Sequence, residues 1–173
     1  MPSHRPIVIT GFMGCGKSEV ARALAKRLGV EMLDLDELIT LETGRTPARL
    51  IDEDGEPAFR QIETITLATL LRKKSADVIA LGGGAWIEKR NRDLLSEAEA
   101  TTIWLDTPFE ICWTRIELDP EDRPLGRTKT QAYELYQRRL PIYSLAAIRT
   151  EAAANDNPDE IAMKIETELA LRR

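Results

Sequence analysis

The sequence predicts an α/β fold, a largely parallel sheet with helices on both faces. Short apolar, β-branched runs alternate along the chain with longer stretches whose apolar residues recur three or four apart. The first of those runs breaks into glycines that lead straight into a helix-forming stretch, IVITGFMGCGKSEV at Ile7–Val20. Strands that alternate with helices are joined by crossovers, which makes neighbouring strands parallel and covers both faces of the sheet. At 173 residues, 43% of them hydrophobic, the chain suits one compact domain spanning residues 1–173.

Taken in order, buried strands are expected at Ile7–Thr10, Glu31–Leu35, Asp77–Leu81 and Thr101–Leu105, with a weaker fifth at Ala147–Thr150. Helical spacing covers Glu19–Leu28, Glu56–Lys73, Lys89–Ala98, Phe109–Glu117, Thr130–Ala147 and Pro158–Leu171. Gly44–Gly55 and Glu117–Lys129 fit neither period. The second, ELDPEDRPLGRTK, is rich in charge, Pro and Gly; such a segment is either a lid over a site or a solvated surface loop.

Composition excludes several classes of partner. The net charge is -5 and no dense Lys/Arg block stands out, so neither nucleic acid nor an anionic membrane is expected. No apolar run is long enough to span a bilayer, and MPSHRP enters the first strand without a secretory pattern; a cytoplasmic protein is expected. Two cysteines, Cys15 and Cys112, and a single histidine, His4, are too few for a zinc site or a disulfide framework. A metal would have to be held by oxygen.

The chemistry begins at Gly11–Ser18. GFMGCGKS matches GxxxxGKS in full, between a buried strand and a helix. Glycines let the backbone N–H groups converge, and the helix N-terminus adds its positive dipole end, which together make an anion cradle. Lys17 then reaches the β and γ phosphates of a nucleotide and Ser18 ligates Mg2+. Gly14, Cys15, Gly16 and Glu19 complete the nucleotide-binding stretch. The Cys15 thiol is either activated by the helix N-terminus or a small side chain that fits the turn.

Further along, LDLD at Leu33–Asp36 closes the second strand, where open parallel sheets bind ligands. On a strand, Asp34 and Asp36 share a face; one could hold Mg2+ through water and the other could take a proton from an acceptor hydroxyl. Alternatively Asp36 caps the helix-like ELITLE. Arg60, in GEPAFRQIE, either binds a carboxylate bidentately or pairs on the surface with Glu56 or Glu63. Three glycines in ALGGGA suggest close approach of a ligand to the backbone. In RRLPIY, Pro141 either starts a helix or kinks one, fixing where Arg139 points.

In this order and at these spacings, GFMGCGKS, LDLDELI, GEPAFRQIE, ALGGGA, RPL (Arg123–Leu125) and RLPIY closely resemble shikimate kinase, from about Ile7 to Ala147. The resemblance implies the P-loop nucleoside monophosphate kinase fold: a five-stranded parallel sheet in the order 2-3-1-4-5, a lid at about 117–130 and an acceptor-binding region at about 34–63. It implies transfer of phosphate from ATP, with Mg2+, to the 3-hydroxyl of shikimate. By matching position, Asp34 would help hold the waters of the metal and Asp36 would bind the acceptor hydroxyls and act as base. Arg60 and Arg139 would clamp the acceptor carboxylate beside the backbone of Gly83 and Gly84. Arg123 would close over the transferring phosphoryl group, Arg115 would lie over the adenine, and Asn157 and Pro158 resemble the adenine loop.

Three positions depart from the family pattern: Leu50–Ile51 where an aromatic is usual, RPLG for RPLL, and the acidic lid approach ELDPED. All touch acceptor fit or closure. A kinase acting on another hydroxylated carboxylic acid such as gluconate, or a nucleotide-binding regulatory module, is the alternative. A monomer is expected.

Overall fold

The computed structural model describes residues 5–118 and 127–172. Five strands, β1 (Ile7–Thr10), β2 (Met32–Asp34), β3 (Val78–Ala80), β4 (Thr101–Asp106) and β5 (Ile148–Glu151), form one sheet in the order β2-β3-β1-β4-β5. Every neighbouring pair is parallel; Ile7 lies opposite both Val78 and Thr101. This is the order that the resemblance implied. β1 is therefore central, and the glycine loop leaves from the middle of the sheet's C-terminal edge.

The helices are α1 (Lys17–Leu28), α2 (Leu35–Thr43), α3 (Pro47–Asp54), α4 (Glu56–Lys73), α5 (Lys89–Glu97), α6 (Phe109–Leu118), α7 (Lys129–Tyr143) and α8 (Pro158–Leu171). A 3-10 turn, Ala85–Ile87, precedes α5. α1 begins two residues ahead of the expected Glu19, because Gly16 at φ 95° caps it through backbone alone. Gly44–Gly55 is largely regular, contrary to expectation: Thr46 caps α3 by accepting from the Arg49 N–H, and Pro47 follows at its first turn. α7 stops at Tyr143, short of Ala147, and carries Pro141 inside its last turn. The segment 119–126, with the RPL motif and Arg123, lies outside the described residues.

The core fills both faces of the sheet. Val8, Ile9, Ile79, Ile103 and Leu105 are fully buried between Leu24 and Ile165 of the flanking helices and Ile39 and Leu67 of others. Each such side chain contributes about 1.5–3 kcal/mol by leaving water. Phe12, inside the glycine loop, packs edge-on against Tyr136 with ring centroids 5.2 Å apart, and Phe109 of α6 joins them. This aromatic cluster fixes the loop against α6 and α7.

Candidate active site

The strand order brings three loops to one edge: the glycine loop after β1, the β2–α2 junction, and the Gly82–Gly84 turn after β3. Between them lies a cavity of about 450 Å³, lined among others by Gly16, Lys17, Ser18, Asp34, Asp36 and Gly83. Gly14, Glu19 and Arg115 line it too. Most of the nucleotide and catalytic candidates read from the sequence thus share one space.

Lys17 is buried, and its ammonium donates to the carbonyls of Gly11 at 3.0 Å and Phe12 at 2.9 Å. Ser18 Oγ donates to Asp34 Oδ2. The other oxygen, Asp34 Oδ1, accepts from the backbone N–H groups of Asp36 and Glu37, at 2.9 and 3.1 Å. The cap of α2 is therefore Asp34, not Asp36, and β2 ends there, so the two carboxylates do not share a face as strand neighbours. Both still reach the cavity, because α2 turns Asp36 back toward it. Its carboxylate lies against Gly82, where an added Cβ would stand 2.5 Å from Oδ1.

Cys15 is not among the residues lining the cavity. Its thiol is buried in the core with Cys112, and its carbonyl accepts from Thr107 Oγ1 at 3.2 Å; it is a packing residue of the turn. Burial, with Cys15 adding to it, pushes the Cys112 thiol up to about 12. Arg115 holds the loop from outside, Nη1 donating to the Gly14 carbonyl at 3.2 Å. Asn157 and Pro158 begin α8, where Asn157 and Glu160 form a reciprocal capping box. Neither is among the residues lining the cavity.

The two arginines converge on the glycine turn from different elements. Arg60, on α4, has its guanidinium against Gly84, a contact that any side chain at 84 would obstruct. Arg139, on α7, donates from Nη1 to the Gly83 carbonyl at 3.2 Å. The same carbonyl accepts from the Tyr143 hydroxyl at 2.6 Å. Tyr143 is wholly buried and stacked on Trp104, and burial pushes its phenol pKa upward. The Gly82–Gly84 turn thus lies against the Asp36 carboxylate and the Arg60 guanidinium and is held by hydrogen bonds from Arg139 and Tyr143.

Arg60 pairs with both Glu56 and Glu63, as its spacing allowed, but not at the surface. Its Nη1 lies 2.9 Å from Glu63 Oε1, with the Glu63 side chain 1% exposed and that of Arg60 9%. Burial pulls the guanidinium pKa down, and the attraction of Glu63 with the hydrogen bonds to Glu63 and Glu56 outweighs it, leaving it raised. For Glu63 burial wins: its pKa is pushed up to about 7 despite Arg60, with Asp36 and Glu88 adding repulsion. Glu63, paired with Arg60, and Tyr143, bonded to Gly83, are contacts of the site candidates that sequence reasoning did not place there. The i, i+3 spacing from Arg60 pointed at Glu63; for Tyr143 only its place in RLPIY did.

The family model described as shikimate kinase matches residues 13–170. The chain belongs to the shikimate kinase family. A shikimate kinase of Thermobifida fusca is 39% identical over 170 residues, which are 96% of each chain. One of Ruegeria pomeroyi is 33% identical over 173 residues, 98% of this chain and 87% of the relative. Among solved structures, the shikimate kinase from Acinetobacter baumannii in complex with shikimate aligns with a TM-score of 0.87 at 31% identity, covering 99% of this chain and 96% of that one. Shikimate kinases are small-molecule kinases; of the residues read from the sequence, Lys17, Ser18, Asp34 and Asp36 line the cavity, and Arg60 and Arg139 are not among its lining residues.

An oxygen-only metal site also fits. Among the described residues no group of three or more His, Cys, Asp or Glu is placed to hold an ion, but Ser18 Oγ and Asp34 Oδ2 face each other at the cavity wall. A hard cation that keeps most of its waters and leans on phosphates needs little more.

Proposed function

We propose that this chain transfers the γ-phosphoryl group of ATP to the 3-hydroxyl of shikimate, on the route to the aromatic amino acids. The observation that carries the reading is the union of a nucleotide cradle, Lys17 and Ser18, with a carboxylate, Asp36, in one cavity, beside a turn gripped by two buried arginines. Phosphoryl transfer asks for position and charge stabilisation more than covalent chemistry.

Lys17 exchanges the carbonyls of Gly11 and Phe12 for phosphate oxygens. Ser18, with Asp34 behind it, would hold Mg2+, which would supply positive charge to offset that of the nucleotide phosphates. Arg115, beside the loop at Gly14, covers the base. Asp36 orients the acceptor hydroxyl and takes its proton. Arg60 and Arg139 hold the acceptor carboxylate, a two-point grip that sets which hydroxyl faces the phosphate. Arg123 completes the charge around the transferring group in the family pattern. A cytoplasmic monomer belongs to the same proposal, since one chain supplies every group named.

The test is ADP release from MgATP with and without shikimate, with gluconate and quinate in parallel and Lys17→Ala as control. Shikimate-dependent turnover that falls on the order of a hundredfold or more in the control is the expected result. Turnover with gluconate instead, or nucleotide binding with no acceptor-dependent release, overturns the acceptor assignment.

A further inference from the structure

Asn91, in the first turn of α5, is wholly buried and has no part in the reaction described above. A buried side-chain amide is costly unless its hydrogen bonds are made, and both ends of this one are engaged. Its Nδ2 donates to the carbonyl of Ala85 at 2.9 Å, and its Oδ1 accepts from the Thr64 hydroxyl at 2.7 Å. Ala85 needs a donor there, which fixes the orientation of the amide. Ala85 directly follows Gly84, and Thr64 lies on α4 four residues beyond Arg60, on the same face of the helix. The amide of Asn91 thus runs from the helix that carries Arg60 to the turn against which Arg60 lies.

That arrangement fixes a distance from both directions. Any side chain at position 84 would collide with the Arg60 guanidinium, so the turn and the arginine are already in contact and come no closer. Resonance keeps an amide planar, and with a hydrogen bond at each end it holds its two partners from moving apart. On the other side, the indole of Trp86 donates to the Ile142 carbonyl of α7 at 2.8 Å, the helix that carries Arg139. We propose that Asn91 is a positioning residue for the acceptor: by bridging Thr64 and Ala85 it sets the spacing of Arg60 from the Gly82–Gly84 turn, and with it the place where the acceptor carboxylate is held. Asn91 is not among the residues that line the cavity; it acts through the turn. The inference rests on the acceptor reading above and deepens it, extending the machinery of the acceptor side to α5.

The experiment is steady-state kinetics with shikimate and MgATP varied separately, alongside urea midpoints of the same variants. Thr64→Val keeps the shape of the side chain and removes the hydroxyl donor; the KM for shikimate should rise several-fold while that for MgATP stays put. Thr64→Ser keeps the donor and should stay close to the native KM. Asn91→Leu breaks both bonds, and kcat/KM for shikimate should fall by up to about a hundredfold with nucleotide affinity retained. Adding Thr64→Val to Asn91→Leu should cost nothing further, because the two side chains act as one unit. A native shikimate KM in Thr64→Val overturns the inference, whether or not Asn91→Leu folds. Equal rises in both KM values that follow the loss of stability overturn it as well, since Asn91 then supports the fold alone. Absence of shikimate-dependent turnover in the native chain is a separate outcome: it overturns the acceptor reading and takes this inference with it.

Discussion

The carbonyl of Gly83 is the smallest feature on which the proposed acceptor side depends. It accepts from Tyr143 at 2.6 Å and from Arg139 at 3.2 Å, so the phenol sets the oxygen that sets the arginine. In Tyr143→Phe the ring still fills its place against Trp104 and Gly83 keeps one donor, so the fold loses only about 1 kcal/mol. Arg139 is left with a looser anchor; the KM for shikimate should rise several-fold while that for ATP stays put. Equal changes in both would show that Tyr143 is structural alone. Gly84→Ala is the harsher probe, since its methyl group meets the Arg60 guanidinium. Shikimate-dependent turnover should fall on the order of a hundredfold, a typical cost of misplacing a positioning group, with nucleotide affinity retained. Normal shikimate KM in this variant would mean that Arg60 is not where the acceptor binds.

At the scale of elements, Asp34 shows how one side chain can serve two masters. Oδ1 caps α2 and Oδ2 faces Ser18. Asparagine caps as well as aspartate, but its amide cannot take the Ser18 proton or order the waters of a cation. Asp34→Asn should therefore melt close to the native chain yet need more Mg2+ for half-maximal rate, whereas Asp34→Ala should lose both, with about 0.5–2 kcal/mol of stability gone through the cap. If Asp34→Asn titrates with Mg2+ like the native protein, Asp34 is a cap only. The same residue marks what the sequence did and did not make legible. A carboxylate pair after β2 could be read; which one capped the helix could not, because that turns on whether the chain leaves the strand at residue 34 or 36. α3 escaped notice because eight residues between two glycines give too few turns for a period, though Thr46 and Pro47 were its start signal. β5 read weakly because it is an edge strand, with Ile148 and Thr150 buried and Arg149 and Glu151 exposed. The glycine loop was legible in full, since its chemistry is local. Glu63 was not, since a helical Arg–Glu pair looks the same in sequence whether water or a buried wall surrounds it.

For the molecule as a whole, buried charge at the acceptor side leaves a mark on stability. Carboxylates such as the exposed Glu53, held low by Arg49 and Arg45, and the half-buried Asp156, held low by Lys164, stabilise the fold above their unfolded pKa values and stop doing so in acid. Glu63 acts in the opposite sense. Its folded pKa, about 7, lies above its ordinary value of 4.5, so the folded chain binds more protons between those values. Stability from this group is complete below pH 4.5, declines as pH rises toward 7, and is gone above it; the swing is at most about 3 kcal/mol. Urea midpoints measured from about pH 5 to 8 should fall with pH in the native chain and stay nearly level in Glu63→Gln. Parallel curves would mean that Glu63 ionises like a solvated carboxylate in the folded state.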